Sequence, residues 1–123
     1  MDSRTKIIPA EQARRVAAAG ATVVSGCFDP LLAWHAERLE SLKREGSPLL
    51  VMIAAPEDPI LPARARAELV AGLKIVDYVL ESNAAVTPHF RLDEEEKQIL
   101  EDLIERVHAR QSAALPAHSS SDA

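Results

Sequence analysis

The run Gly26-Cys27-Phe28-Asp29 and the imidazole of His35 are the groups in this chain whose types and spacing could do chemistry. A glycine lets a ligand lie close against the backbone, and a turn aspartate accepts nearby backbone N–H groups or faces a ligand. A histidine can donate or accept a hydrogen bond through its ring nitrogens. The spacing suits an anion seat: a short strand, a tight turn, then a helix whose first N–H groups point back at the glycine. Each residue also has a quieter reading. His35 can be a helix residue partly buried near Leu39, and Asp29 a turn former with Pro30 that binds local N–H groups. Cys27 reads as a small core residue rather than a nucleophile, because no basic partner stands near it in the sequence.

The elements that must position these residues follow from patterning. Pro9 opens a helix over AEQARRVAAA, and Gly20 suits its left-handed stop. Thr22 to Cys27, β-branched and flanked by glycine, reads as a buried strand broken by Phe28-Asp29-Pro30. A second helix is expected from about Trp34 to Arg44, ended by Gly46. Pro48 to Ala55 is an unbroken apolar run, a strand covered on both faces, and Pro56 to Pro59 is a loop. Pro62 opens a third helix to about Lys74 with Leu69, Val70 and Leu73 facing inward, and Ile75 to Leu80 follows as a third strand. Residues 83–92 are ambiguous, with room for a short extended piece from His89 to Leu92. Asp93 and Glu96 form a capping box for a last helix to about Gln111, with Ile99, Leu100, Leu103, Ile104 and Val107 on one face. The acidic run Asp93 to Glu96 suits the helix dipole better than a metal.

Helices between successive strands imply a parallel sheet. The expected fold is therefore α/β: a three-layer, Rossmann-like parallel sheet of three main strands and a short fourth, with flanking helices and a C-terminal amphipathic helix. It is expected as one domain over residues 1–113, followed by a polar, disordered tail, 114–123, in which His118 needs no role.

The order of residues carries a resemblance. G-C-F-D at Gly26 to Asp29, then a helix with His35, then the block from Arg66 to Val79 containing L-V-A-G-L-K-I-V-D-Y-V, resembles the cytidylyltransferase-like domain of the nucleotidyltransferase superfamily. It looks closest to the nucleotidyltransferase domain of bacterial ADP-heptose synthase, and the likeness covers roughly residues 6 to 82. The resemblance implies nucleotide binding at Gly26, Cys27, Phe28 and Asp29, and a catalytic His35 that steadies charge on the phosphates as pyrophosphate leaves. Phosphoryl chemistry of this kind depends on positioned donors more than on covalent steps. The family's H-x-G-H positions are held here by Leu32, Ala33, Trp34 and His35, so only the last histidine is kept. Leucine cannot donate, and an indole stands where the family has glycine. Between Pro56 and Pro62 there is no Lys or Arg, where the family carries a basic loop. The family's second half, with its I-S-S-T-x-x-R-like phosphate motif, has no counterpart in these residues.

The reading that follows is a degenerate nucleotidyltransferase-like domain, non-catalytic alone, that acts by nucleotide binding or protein association. Two alternatives stand beside it. One is an active enzyme joining CTP or ATP to a sugar or alcohol phosphate with Mg²⁺, the one cofactor implied; the other is a structural or regulatory module without a ligand. Trp34 either plugs the seat above Gly26 or belongs to a contact surface. A formal net charge of −5 argues against a nucleic-acid partner, and Arg14/Arg15 and Arg64/Arg66 read as solvated helix faces. No apolar run approaches the roughly 20 residues that span a bilayer, so no membrane role is expected. The first residues lack the apolar stretch of a secretory signal and Cys27 has no disulfide partner, which places the chain in the cytoplasm as an expectation. A three-stranded sheet would leave the first strand's edge open unless residues 86–92 or a second copy covered it, so a homodimer is also expected.

Overall fold

In a computed structural model, which describes residues 2–114 and their side chains to residue 111, four strands alternate with helices. The strands are β1 (Thr22–Gly26), β2 (Leu49–Ile53), β3 (Tyr78–Leu80) and β4 (Phe90–Arg91); the helices are α1 (Ala10–Ala18), α2 (Ala33–Leu42), α3 (Ala63–Ala71) and α4 (Asp93–Ala114). Contacts divide the chain between Asp93 and Glu94, so that all but the first residue of α4 falls in a second unit.

The sheet has the order β3-β2-β1-β4, and every neighbouring pair is parallel. The run Leu49–Ile53 explains why: being apolar at every position, it can be buried on both faces. Leu49, Val51 and Ile53 pack with Leu39 and Leu42 of α2 and with Ala67, Val70 and Ala71 of α3. Leu50 and Met52 join Val23 and Ala13 on the other face, where Val16 and Ala17 of α1 close over them. The result is a three-layer, Rossmann-like α/β arrangement. Burying one such side chain contributes about 1.5–3 kcal/mol, against about 1 kcal/mol for a typical hydrogen bond, so the two-faced strands dominate the fold.

The three main strands, β3-β2-β1, are joined on both sides by segments of the same chain. The N–H of Ile8 donates to the Val79 carbonyl at 2.9 Å, beside β3. On the β1 side, the N–H groups of His89 and Leu92 donate to Val23 and Ser25 carbonyls at 2.8 and 2.7 Å. The His89 side chain extends this cover, its Nδ1 accepting from the Val23 N–H at 2.9 Å. The extended piece expected at residues 89–92 is thus real, and it takes up the edge that the expected homodimer was to cover.

Several boundaries differ from expectation for identifiable reasons. Helix α2 stops at Leu42 because Lys43 turns extended and directs its Nζ to the Asp77 carboxylate; Gly46, at φ +78°, belongs to the turn that follows. Strand β3 starts only at Tyr78, since the Val76 N–H is taken by the Leu73 carbonyl in a turn. In that turn Asp77 accepts from the Leu49 N–H at 2.7 Å as well as from Lys43. Burial alone would raise the Asp77 carboxyl, but the Lys43 and Leu49 hydrogen bonds, with the charges of Lys43 and Lys6, hold it below its ordinary value. In α3, Leu69 points outward at 46% exposure, while Arg66, Ala67, Val70 and Ala71 form the buried face.

Helix α4 begins at Asp93 itself, so Leu92, not Asp93, precedes its first turn. Of its expected apolar stripe, Leu100, Leu103, Ile104 and Val107 are exposed. The expected tail, apart from Ala114 at the end of α4, lies outside the described residues, and His118 with it. Among the described residues no helix is long and apolar enough to cross a membrane.

Candidate functional site: the glycine turn at the end of β1

Strand β1 ends at buried Gly26, whose carbonyl accepts from the Ala54 N–H at 2.7 Å and so joins the end of β2. The chain then turns sharply. Phe28 has a left-handed backbone, φ +51°, and the Asp29–Pro30 peptide is cis. A left-handed non-glycine residue costs about 1–2 kcal/mol. Complete burial of the Phe28 ring among the α2 and α3 contacts, at about 1.5–3 kcal/mol, offsets that cost.

Asp29 uses both carboxylate oxygens on the backbone. Oδ2 accepts from the Ile60 N–H at 2.6 Å and Oδ1 from the Leu61 N–H at 2.8 Å, fastening the loop before α3 against the turn. The same loop is held from below by Arg66, which is 3% exposed and corrects the reading of that arginine as part of a solvated face. Its Nε donates to the Leu61 carbonyl at 3.0 Å, and its Nη1 to the carbonyls of Cys27 and Ala54 at 3.0 and 2.7 Å. One guanidinium thus ties together the turn after β1, the end of β2 and the loop. Its planar fork of donors suits several acceptors at once, as an ammonium does not. Arg14, Arg15 and Arg64 are exposed, as expected.

His35 stands at the third position of α2. Its Nδ1 accepts from the Leu32 N–H at 2.9 Å, and its own N–H donates to the Leu32 carbonyl at 3.0 Å. This is half of a capping box, because leucine has no side-chain acceptor to complete it. An accepting Nδ1 places the proton of the neutral ring on Nε2. The imidazole is 3% exposed, with ring centroids of Phe28 and Trp34 each 5.0 Å away, tilted at 47° and edge-on at 67° respectively. Trp34 is half-buried and Cys27 is partly exposed.

The fold therefore brings Gly26, Cys27, Phe28, Asp29 and His35 into one turn, but directs Asp29 to the Ile60-Leu61 backbone and His35 to the helix start. What sequence reasoning missed is Arg66. The signals for it are its place one helical turn after Pro62, on the side that Ala67 and Val70 bury, and its position at the head of the Arg66-to-Val79 block. A second omission lies at the switch point of the sheet, where β1 has β2 on one side and β4 on the other. Ser25 Oγ in β1 and Asp93 Oδ1 just beyond β4 are buried without a hydrogen-bond partner. In sheets of this kind ligands meet the strands at such a point. A cavity of about 440 Å³ lies elsewhere, by the start of β1, lined by Gly20, Thr22, Ser41, Arg44, His89 and Phe90 among others.

A protein-held Mg²⁺ does not fit the turn. Its one carboxylate, Asp29, already has both oxygens engaged, and among the described residues no group of three or more His, Cys, Asp or Glu could hold a metal ion. Compared with known proteins, the chain matches no family model and no curated protein.

Proposed function

We propose that the chain is a degenerate, cytidylyltransferase-like domain of the nucleotidyltransferase type that works in the cytoplasm by binding a nucleotide or another protein chain, without catalysis of its own. The observation that carries this reading is the commitment of its two would-be active groups. Asp29 holds the Ile60 and Leu61 N–H groups, and His35, nearly sealed from solvent, holds the Leu32 N–H. Leu32 and Trp34 add no small donor beside them. Losing one donor to developing charge costs about 2.7–4 kcal/mol of transition-state stabilisation, so a turn lacking two or three is far below enzymatic rates. What survives is geometry suited to binding: a glycine at the strand end and the start of a ten-residue helix.

Isothermal titration of the chain with CTP, ATP, CMP and AMP tests the reading, alongside a pyrophosphate assay with each triphosphate, Mg²⁺ and sugar or alcohol phosphates. Saturable binding of at least one nucleotide without pyrophosphate release is the expected result. Steady pyrophosphate release would replace the reading with an active enzyme. Absence of any nucleotide binding would leave only the protein-binding arm.

A further inference from the structure

The exposed face of α4 carries a pattern that selects its own partner. Leu100, Leu103, Ile104 and Val107 recur at steps of three, one and three residues, which places them on one side of a helix. They are 42–54% exposed, so about half of each apolar side chain is left for a partner to cover. The residues around this stripe are polarised along the axis. The amino-terminal part carries Asp93, Glu94, Glu95, Glu96, Glu101 and Asp102 against Lys97 alone, while the carboxyl-terminal part carries Arg106, His108 and Arg110 against Glu105 alone.

We propose that a second copy of this chain covers the stripe, with the two α4 helices packed antiparallel about a two-fold axis level with the midpoint between Leu103 and Ile104. The pattern is self-complementary in that arrangement. Leu100 of one copy lies level with Val107 of the other, and Leu103 with Ile104, so the apolar rows close on each other. On a helical projection Glu101 and His108 share one flank of the stripe. Antiparallel packing brings Glu101 of one copy to nearly the same level as His108 of the other. Parallel, in-register packing sets the acidic amino-terminal halves side by side and the basic carboxyl-terminal halves side by side, and aligns the helix dipoles unfavourably as well. An isologous contact of this kind closes on itself and forms a dimer rather than a fibre. The inference does not rest on what the glycine turn binds.

Sedimentation equilibrium of the full chain decides it. The wild-type chain is expected to show a monomer–dimer equilibrium, and Leu103→Glu/Ile104→Glu to weaken association at least tenfold with unchanged far-ultraviolet circular dichroism, since both side chains are exposed in the single copy. The orientation is read from charge swaps. Glu101→Lys and His108→Glu each weaken the dimer, and the two together in one chain restore it if the helices run antiparallel. A strict monomer at millimolar concentration, or a dimer indifferent to Leu103→Glu/Ile104→Glu, overturns the proposal and assigns the stripe to a partner of another kind. A dimer that the double charge swap fails to restore overturns the antiparallel arrangement.

Discussion

At the scale of single residues, the turn after β1 is held by two charged groups that both act on backbone. Asp29→Ala strips the acceptor from the Ile60 and Leu61 N–H groups; a hydrogen bond to a charged group is worth about 1.5–3 kcal/mol, and the exposure of that loop puts the expected loss near the lower end, read as a shift of the urea midpoint. Arg66→Met is expected to cost more, about 3 kcal/mol, because it leaves the Cys27, Ala54 and Leu61 carbonyls without their donor in the interior. Arg66→Lys should recover less than half of that loss, since one ammonium cannot span three carbonyls in a fork. Equal stability of Arg66→Met and wild type would refute the tie. Arg66 was illegible in the sequence for a physical reason: its partners are carbonyls, which every residue carries, so no side-chain pattern announces them. Asp29 was half legible, for an aspartate before proline marks a turn, but not which N–H groups it would take.

At the scale of elements, two joints deserve tests. Asp77 links the end of α2 to the start of β2 through Lys43 and Leu49. Its folded carboxyl titrates below the ordinary value of 3.8, so the folded chain binds fewer protons than the unfolded chain in acid. The stability it adds is complete above the unfolded value and is lost as pH falls through the folded one. Asp77→Asn should therefore flatten the acid limb of the stability–pH curve and cost about 1 kcal/mol near neutrality, solvent screening part of the Lys43 pair. An unchanged acid limb would count against it. His89→Ala removes the acceptor for the Val23 N–H at the sheet edge and should cost about 1–2 kcal/mol, seen as faster exchange of that amide. Strands β1 and β2 were plain in the sequence because their residues are apolar on both faces. Strand β3 was overdrawn, since Ile75 and Val76 have strand-like side chains but sit in the turn that the Val76 N–H closes on the Leu73 carbonyl. In α3 the inward face was misjudged by apolarity: Leu69 is the more hydrophobic residue, yet Arg66 is the one with buried partners.

At the scale of the whole molecule, the first unit is closed on itself. Its three main strands are joined at the β3 edge by Ile8 and at the β1 edge by residues 89–92. Amide exchange should accordingly be slowest in β1 and β2 and markedly faster in α4 beyond Leu100, where the apolar side chains of a single copy lie in water. Uniform protection across both, at a concentration low enough to keep the chain monomeric, would contradict this picture. The α4 stripe shows the limit of periodicity as a guide: spacing identifies an amphipathic helix but not what it meets. The scarcity of aromatic residues has a last, practical consequence. Trp34 is the only indole in the chain, and it sits edge-on to His35 beside the glycine turn. Its near-ultraviolet-excited emission is thus a built-in lamp at the doorway of the candidate site, free of background from any other tryptophan. A solute that lodges against the start of α2 must shift the colour or brightness of that light, whereas one that settles by the far end of β1 should leave it dark to the event.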